Sequence, residues 1–206
     1  TLLYLVPQTP TMWMLTFGLV SALLGGWMGL NQTQMRKLMA FSSIAHMGWL
    51  MIALTITPSL TTMTLVVYFI LTTTTFMILA LTESKTTSDL STTHACYPTL
   101  MVLLMFSTLS LGGLPPLPGF FPKWLILSEL THLQMPMMAT ILALSTLPSL
   151  YFYVRMTYVT ILTSPPNTPS TEYKWRLPTT PPTTTTTLSA LALLLLPLTP
   201  TLMNTT

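Results

Sequence analysis

Long apolar stretches alternate with short polar breaks along this chain, and the stretches have membrane length. Runs dominated by Leu, Met, Ile, Val, Ala and Trp occupy residues 11–30, 37–56, 60–81, 98–131, 136–162 and 187–203. Crossing the hydrocarbon core takes about 20 mostly apolar residues, so these runs can span it, and the fourth is too long for one straight crossing. Strand-type alternation is absent, and lipid offers no partner to an open backbone, so the pattern predicts helices. The expected fold is all-α, a multi-pass transmembrane helix bundle forming a single membrane domain over 1–206. The breaks at 31–36 and 57–59 are short enough to force antiparallel hairpins. The stretch 83–97 is polar and reads as a linker. The stretch 163–186, rich in Pro and Thr and running into a Thr tract at 179–187, reads as an irregular loop.

Composition removes the soluble alternative. Seven basic and four acidic residues make the chain 5 % charged, against about 25 % in a soluble domain, and mean hydropathy is +0.66. Such a chain cannot build a hydrated surface, so the lipid bilayer is its solvent. The net charge of +3 is too small to indicate nucleic acid, but its placement is informative. With loops assigned alternately to two sides, Arg36, Lys37, Lys85, Lys174 and Arg176 share one side and Arg155 lies near it, while the opposite loops hold no Lys or Arg. The positive-inside rule directs that side to the cytoplasm or the mitochondrial matrix, and the C-terminus to the other.

Cys96 stands alone, which excludes an internal disulfide and a Cys-ligated metal or iron–sulfur site. The chain lacks a starting Met and a signal-peptide pattern and opens inside an apolar run, so it is expected to be a fragment of a longer protein. Gly18, Ala22 and Gly26 form one small-residue stripe, and Ser21, Gly25 and Gly29 the next. Such stripes predict close helix approach, within this bundle or against another subunit. Two Asn-x-Thr matches, at Asn31 and Asn204, hug helix ends and are not expected to be glycosylated.

Candidate chemistry gathers at two places. Lys123 lies about 13 Å before the end of the fourth run at 1.5 Å per residue, near the middle of a roughly 30 Å core. An ammonium there costs about 2.5–3.5 kcal/mol on insertion scales and faces a wet or polar interior. A snorkelling lysine is the plainer reading, although a stem of about 6 Å leaves the head short of the headgroups. Just before it runs Gly112-Gly113-Leu114-Pro115-Pro116-Leu117-Pro118-Gly119, which cannot be regular helix because proline lacks a donor and clashes with the preceding turn. The fourth run is therefore two half-helices around an unwound middle, the place where transporters put ion sites.

The second place is His46, with Ser42 and Ser43 four and three residues earlier on one helical face. Imidazole titrates near neutrality and can pass a proton between its nitrogens. The plainer reading is a neutral histidine bonded to a nearby carbonyl. His94 and His132 lie near loops, so no metal site is expected. Glu129 lies about 240° round the helix from Lys123 and is read as a solvated helix end.

The stretches Gly29-Leu30-Asn31-Gln32-Thr33-Gln34-Met35-Arg36-Lys37, Ser42-Ser43-Ile44-Ala45-His46-Met47-Gly48-Trp49, Leu109 to Trp124 and Leu150-Tyr151-Phe152-Tyr153-Val154-Arg155 resemble, in order, the subunit 2 family of mitochondrial NADH–ubiquinone oxidoreductase, respiratory complex I. The resemblance implies an antiporter-like membrane subunit of two inverted five-helix repeats, each with a broken helix. Residues 11–162 look like the second repeat, 187–204 like a final helix, and 1–10 like the tail of a preceding helix. Lys123 matches the lysine of the second broken helix, and His46 the histidine on the helix that opens the repeat's charged core. The implied function is proton translocation in the mitochondrial inner membrane, coupled to NADH-to-ubiquinone electron transfer elsewhere in the complex. Lys123, His46, Ser42 and Ser43 are the expected proton relay, with Lys123 paired to an anion. Other membrane-arm subunits are the implied partners, and no cofactor, metal or redox centre is expected in this chain. The first repeat is missing, so the chain alone is expected not to pump. A stand-alone sodium/proton antiporter and a structural subunit with relic charges are the rival readings.

Overall fold

The computed structural model of the chain describes residues 11–162 and 185–192. It contains α1 (Thr11–Gly29), α2 (Met35–Ile56), α3 (Pro58–Leu81), α4 (Thr87–Cys96), α5 (Pro98–Gly112), α6 (Phe120–His132) and α7 (Pro136–Leu162). A further helical segment covers 185–192, and there is no strand among the described residues. Four of these helices, α1, α2, α3 and α7, are long and apolar enough to cross a membrane. The fold is all-α, as the hydrophobic pattern requires.

Prolines set several boundaries. Helices α3, α5 and α7 open on Pro58, Pro98 and Pro136, where a missing N–H is harmless and the preceding residue is turned out of helix. Helices α2 and α3 each begin two residues earlier than the apolar runs suggest. The fourth run is split as expected, into α5 and α6. Of the sixth predicted span only 187–192 is described; the rest of it, residues 1–10 and all of the 163–186 loop but 185–186 fall outside the described residues.

The polar linker 83–97 does join two apolar helices, but residues 87–96 of it are themselves helix, α4. Its start is a capping box. Thr86 Oγ1 accepts from the Asp89 N–H, and the Asp89 carboxylate accepts from the Thr86 N–H at 2.8 Å. The pattern Thr-x-x-Asp signals such a start, but a search for long apolar runs passes over a short polar helix.

Three connections meet on one face. The Met35 N–H donates to Lys85 O at 3.0 Å and the Thr87 N–H to Thr33 O at 3.1 Å, joining the α1–α2 and α3–α4 turns. From α7, Arg155 donates to Leu30 O at 2.7 Å and Gln32 O at 2.6 Å, pairing a cation with the negative end of α1. Arg36, Lys37, Lys85 and Arg155 therefore share a side, in agreement with the loop alternation. Lys174 and Arg176 lie outside the described residues.

Small residues of α1 pack inside the chain. A Cβ on Gly25 would stand 2.5 Å from Ala45 N and 2.8 Å from Phe41 O, so α1 and α2 touch backbone to backbone, the approach such stripes permit. Many hydroxyls are self-contained: Thr64, Thr75, Ser107 and Ser145 each donate to a carbonyl one turn back. A Thr-rich helix can thus enter lipid without unpaired donors.

Buried apolar side chains form two clusters. One joins α2, α3, α4, α5 and α7 near the basic face, around Leu38, Leu71, Leu104 and Phe152. The other joins α1, α2, α6 and α7 toward the opposite face, around Leu19, Ile52, Ile126 and Leu142. The break between α5 and α6 falls where these clusters meet.

Candidate functional site

The site begins with two prolines. In a helix the carbonyl of residue i accepts the N–H of residue i+4. For Leu111 and Gly112 those partners are Pro115 and Pro116, which have no N–H. The chain leaves the helix through Gly113, in the left-handed region at φ 83°. The Gly113 N–H turns back to Leu109 O and Ser110 O, at 3.2 and 3.0 Å, and the Leu114 N–H to Leu109 O at 3.4 Å. This is glycine closing a helix C-terminus, and among the described residues it leaves the carbonyls of Leu111 and Gly112 without a backbone donor.

Lys123 takes both. Its Nζ donates to Leu111 O at 3.2 Å and to Gly112 O at 3.1 Å. It is the fourth residue of α6, and helical side chains lean toward their N-terminus, so its stem points back across the break. The negative end of the α5 dipole adds to the attraction. The ammonium also lies 5.9 Å from the centre of the Trp49 ring, within cation–π range. The anion expected beside Lys123 is replaced, among the described residues, by carbonyl dipoles and an aromatic face. Spacing to the prolines already marked those carbonyls, whereas a search for a carboxylate did not. Ser110 ties the two half-helices, its Oγ accepting the Gly119 N–H at 3.2 Å.

His46 completes the cluster from α2. Its Nδ1 lies 2.7 Å from Ser42 O; a carbonyl only accepts, so Nδ1 carries a proton and Nε2 is left to exchange one. The ring stacks on Tyr68 with centres 4.8 Å apart and also has the Leu111 carbonyl in reach. Lys123 and His46 thus converge on one carbonyl. A cavity of about 40 Å³ lies between them, lined by His46, Trp49, Thr64, Tyr68, Leu111 and Lys123 among others. That is room for about two or three waters.

The serines enter differently from the face argument. Ser42 is linked to His46 through its carbonyl, while its hydroxyl donates to Met39 O at 2.7 Å. The Ser43 hydroxyl donates to Ala40 O at 2.7 Å and stands beside Tyr68. Sequence reasoning missed Tyr68 and Trp49. Trp49 follows His46 by three residues, a spacing that puts both on one side of α2. Nothing local marks Tyr68, which sits on another helix.

The chain matches the family described as NADH:quinone oxidoreductase/Mrp antiporter, TM, over residues 1–148, and NADH dehydrogenase subunit 2 C-terminus over residues 150–203. It belongs to the NADH:quinone oxidoreductase/Mrp antiporter family. Among relatives, NADH-ubiquinone oxidoreductase chain 2 of Tetraodon nigroviridis is 48% identical over 204 residues, 98% of this chain and 58% of that one. The chain thus spans a little over half the length of this relative. Among solved structures, a chain of respiratory complex I from Thermus thermophilus with bound aureothin shares 27% identity at TM-score 0.76, covering 93% of this chain and 44% of that one. A chain of the Mrp complex from a Dietzia species shares the fold at TM-score 0.65 and 15% identity, over 78% of this chain and 32% of that one.

Proposed function

We propose that this chain forms part of a proton-translocating membrane subunit of NADH:ubiquinone oxidoreductase, in the mitochondrial inner membrane. Lys123 would take up and release the transported proton at the broken helix. The observation that carries the reading is the Lys123 ammonium resting on the two carbonyls that the prolines leave open, beside His46. Desolvation disfavours the charge and the carbonyl dipoles favour it. A balance of this kind lets a modest change in nearby charge load or discharge the amine. Nε2 of His46, the ring nitrogen not engaged by Ser42 O, supplies the exchange partner, with waters in the cavity as carriers. Ser42 holds the imidazole by its carbonyl, and Ser43 borders the ring that His46 stacks on. Oxidation of NADH and reduction of ubiquinone would take place on other subunits, the membrane-arm partners of this one.

Lys123→Met in the full-length subunit, within the assembled complex, should abolish this subunit's share of pumping while NADH oxidation persists. His46→Ala should weaken pumping in part. Proton-to-electron stoichiometry in proteoliposomes measures both, and an unchanged ratio in Lys123→Met removes the assigned role. The shared fold with an Mrp complex chain supports a second reading, a sodium/proton antiporter acting alone; sodium-dependent transport without redox partners would favour it.

A further inference from the structure

Tyr153 is buried, and among the described residues its hydroxyl has no hydrogen-bond partner. A buried phenol left unpaired costs about 1–3 kcal/mol, so each such case calls for an explanation. Its surroundings supply one. Its ring packs on the last turn of α5, 3.5 Å from where a Cβ of Gly112 would stand, and Gly112 O is a Lys123 acceptor. Its hydroxyl lies near that of Ser42, outside hydrogen-bond geometry. The Ser42 proton is committed to Met39 O, which leaves the serine oxygen free to accept. Thr157 and Thr160 follow at helical spacing, four and seven residues along α7, and both are buried. They donate to Val154 O and Thr157 O, at 2.8 and 2.7 Å, so their oxygens also keep acceptor capacity. This end of α7 is the one that Arg155 fastens to the basic-face turn.

Building on the proton-translocating reading, we propose that Tyr153 is a proton-path residue. It would join the Lys123–His46 site to the basic face through a hydroxyl stripe on α7 formed with Thr157 and Thr160. Water would have to enter between these hydroxyls to carry the proton across the gaps. In each hop the phenol oxygen accepts a proton on a lone pair as its own proton leaves for the next acceptor. The hydroxyl ends unchanged, one proton has moved, and no electron is transferred.

The test is Tyr153→Phe in the full-length subunit of the assembled complex, beside Lys123→Met. The substitution removes one unpaired oxygen and keeps the ring, so assembly and NADH oxidation should survive. The proton-to-electron ratio should fall toward that of Lys123→Met, and the solvent deuterium isotope effect on pumping should change. Adding Thr157→Val should cost little more, because both lie on one path. An unchanged ratio and isotope effect in Tyr153→Phe overturn the proposal. Should that variant fail to assemble, Thr157→Val alone decides by the same two readouts. If Lys123→Met stops pumping while Tyr153→Phe does not, only the Tyr153 path falls; if Lys123→Met pumps normally, the reading beneath it falls too.

Discussion

Gly113 does two jobs at one position. Its φ of 83° lies where a side chain is strained, and a Cβ there would stand 3.0 Å from Lys123 Nζ. Gly113→Ala should therefore cost about 1–2 kcal/mol from the left-handed backbone and displace the ammonium from its carbonyls. The expected result is a less heat-stable subunit with reduced pumping, read by thermal denaturation of the purified complex and by proton uptake. A variant unaltered in both would mean that the Lys123 contacts with Leu111 and Gly112 do not matter. At this scale the sequence was half legible. Pro115 and Pro116 announced the break, and Lys123 its costly charge. The acceptors were also implied, since a proline four residues on always leaves a carbonyl open, yet a buried cation invites a search for a carboxylate.

Among the elements, α4 shows how a short polar helix escapes a hydrophobicity pattern yet carries its own start signal. The Asp89 carboxylate accepts from the backbone N–H groups of Thr86 and Lys85, which holds it below the usual aspartate range, the Thr86 bond being the chief cause. A carboxylate depressed in the fold stabilises it above the ordinary aspartate value, and that contribution is lost as pH falls through the lowered one. Amide-exchange protection of Thr86 and Lys85 should hold from neutrality into mild acid and fail only below the ordinary aspartate range. Failure nearer neutrality would show that the capping box does not hold α4. The long helices were legible because lipid leaves a chain few choices, and the Gly25 stripe foretold a tight contact. That α2 receives it was not legible, since spacing along one helix says nothing about its partner.

For the whole molecule, two apolar clusters enclose a polar seam in which α2, α3, α5 and α6 bring His46, Tyr68, the Leu111 carbonyl and Lys123 together. Charge placement predicted which loops share a face, because a few cations suffice to mark a side. The seam's composition was only partly legible: Tyr68 and Tyr153 come from separate helices, and their approach depends on packing that no motif encodes. The central claim is that Lys123 must exchange a proton, beyond supplying a fixed positive charge to the break. Arginine separates these roles, because guanidinium keeps its charge and donors but does not deprotonate in proteins. The most direct measurement is the proton-to-electron stoichiometry of the assembled complex carrying Lys123→Arg. The account predicts a loss matching that of Lys123→Met. Full stoichiometry with arginine in place would contradict it, because a permanent cation would then suffice.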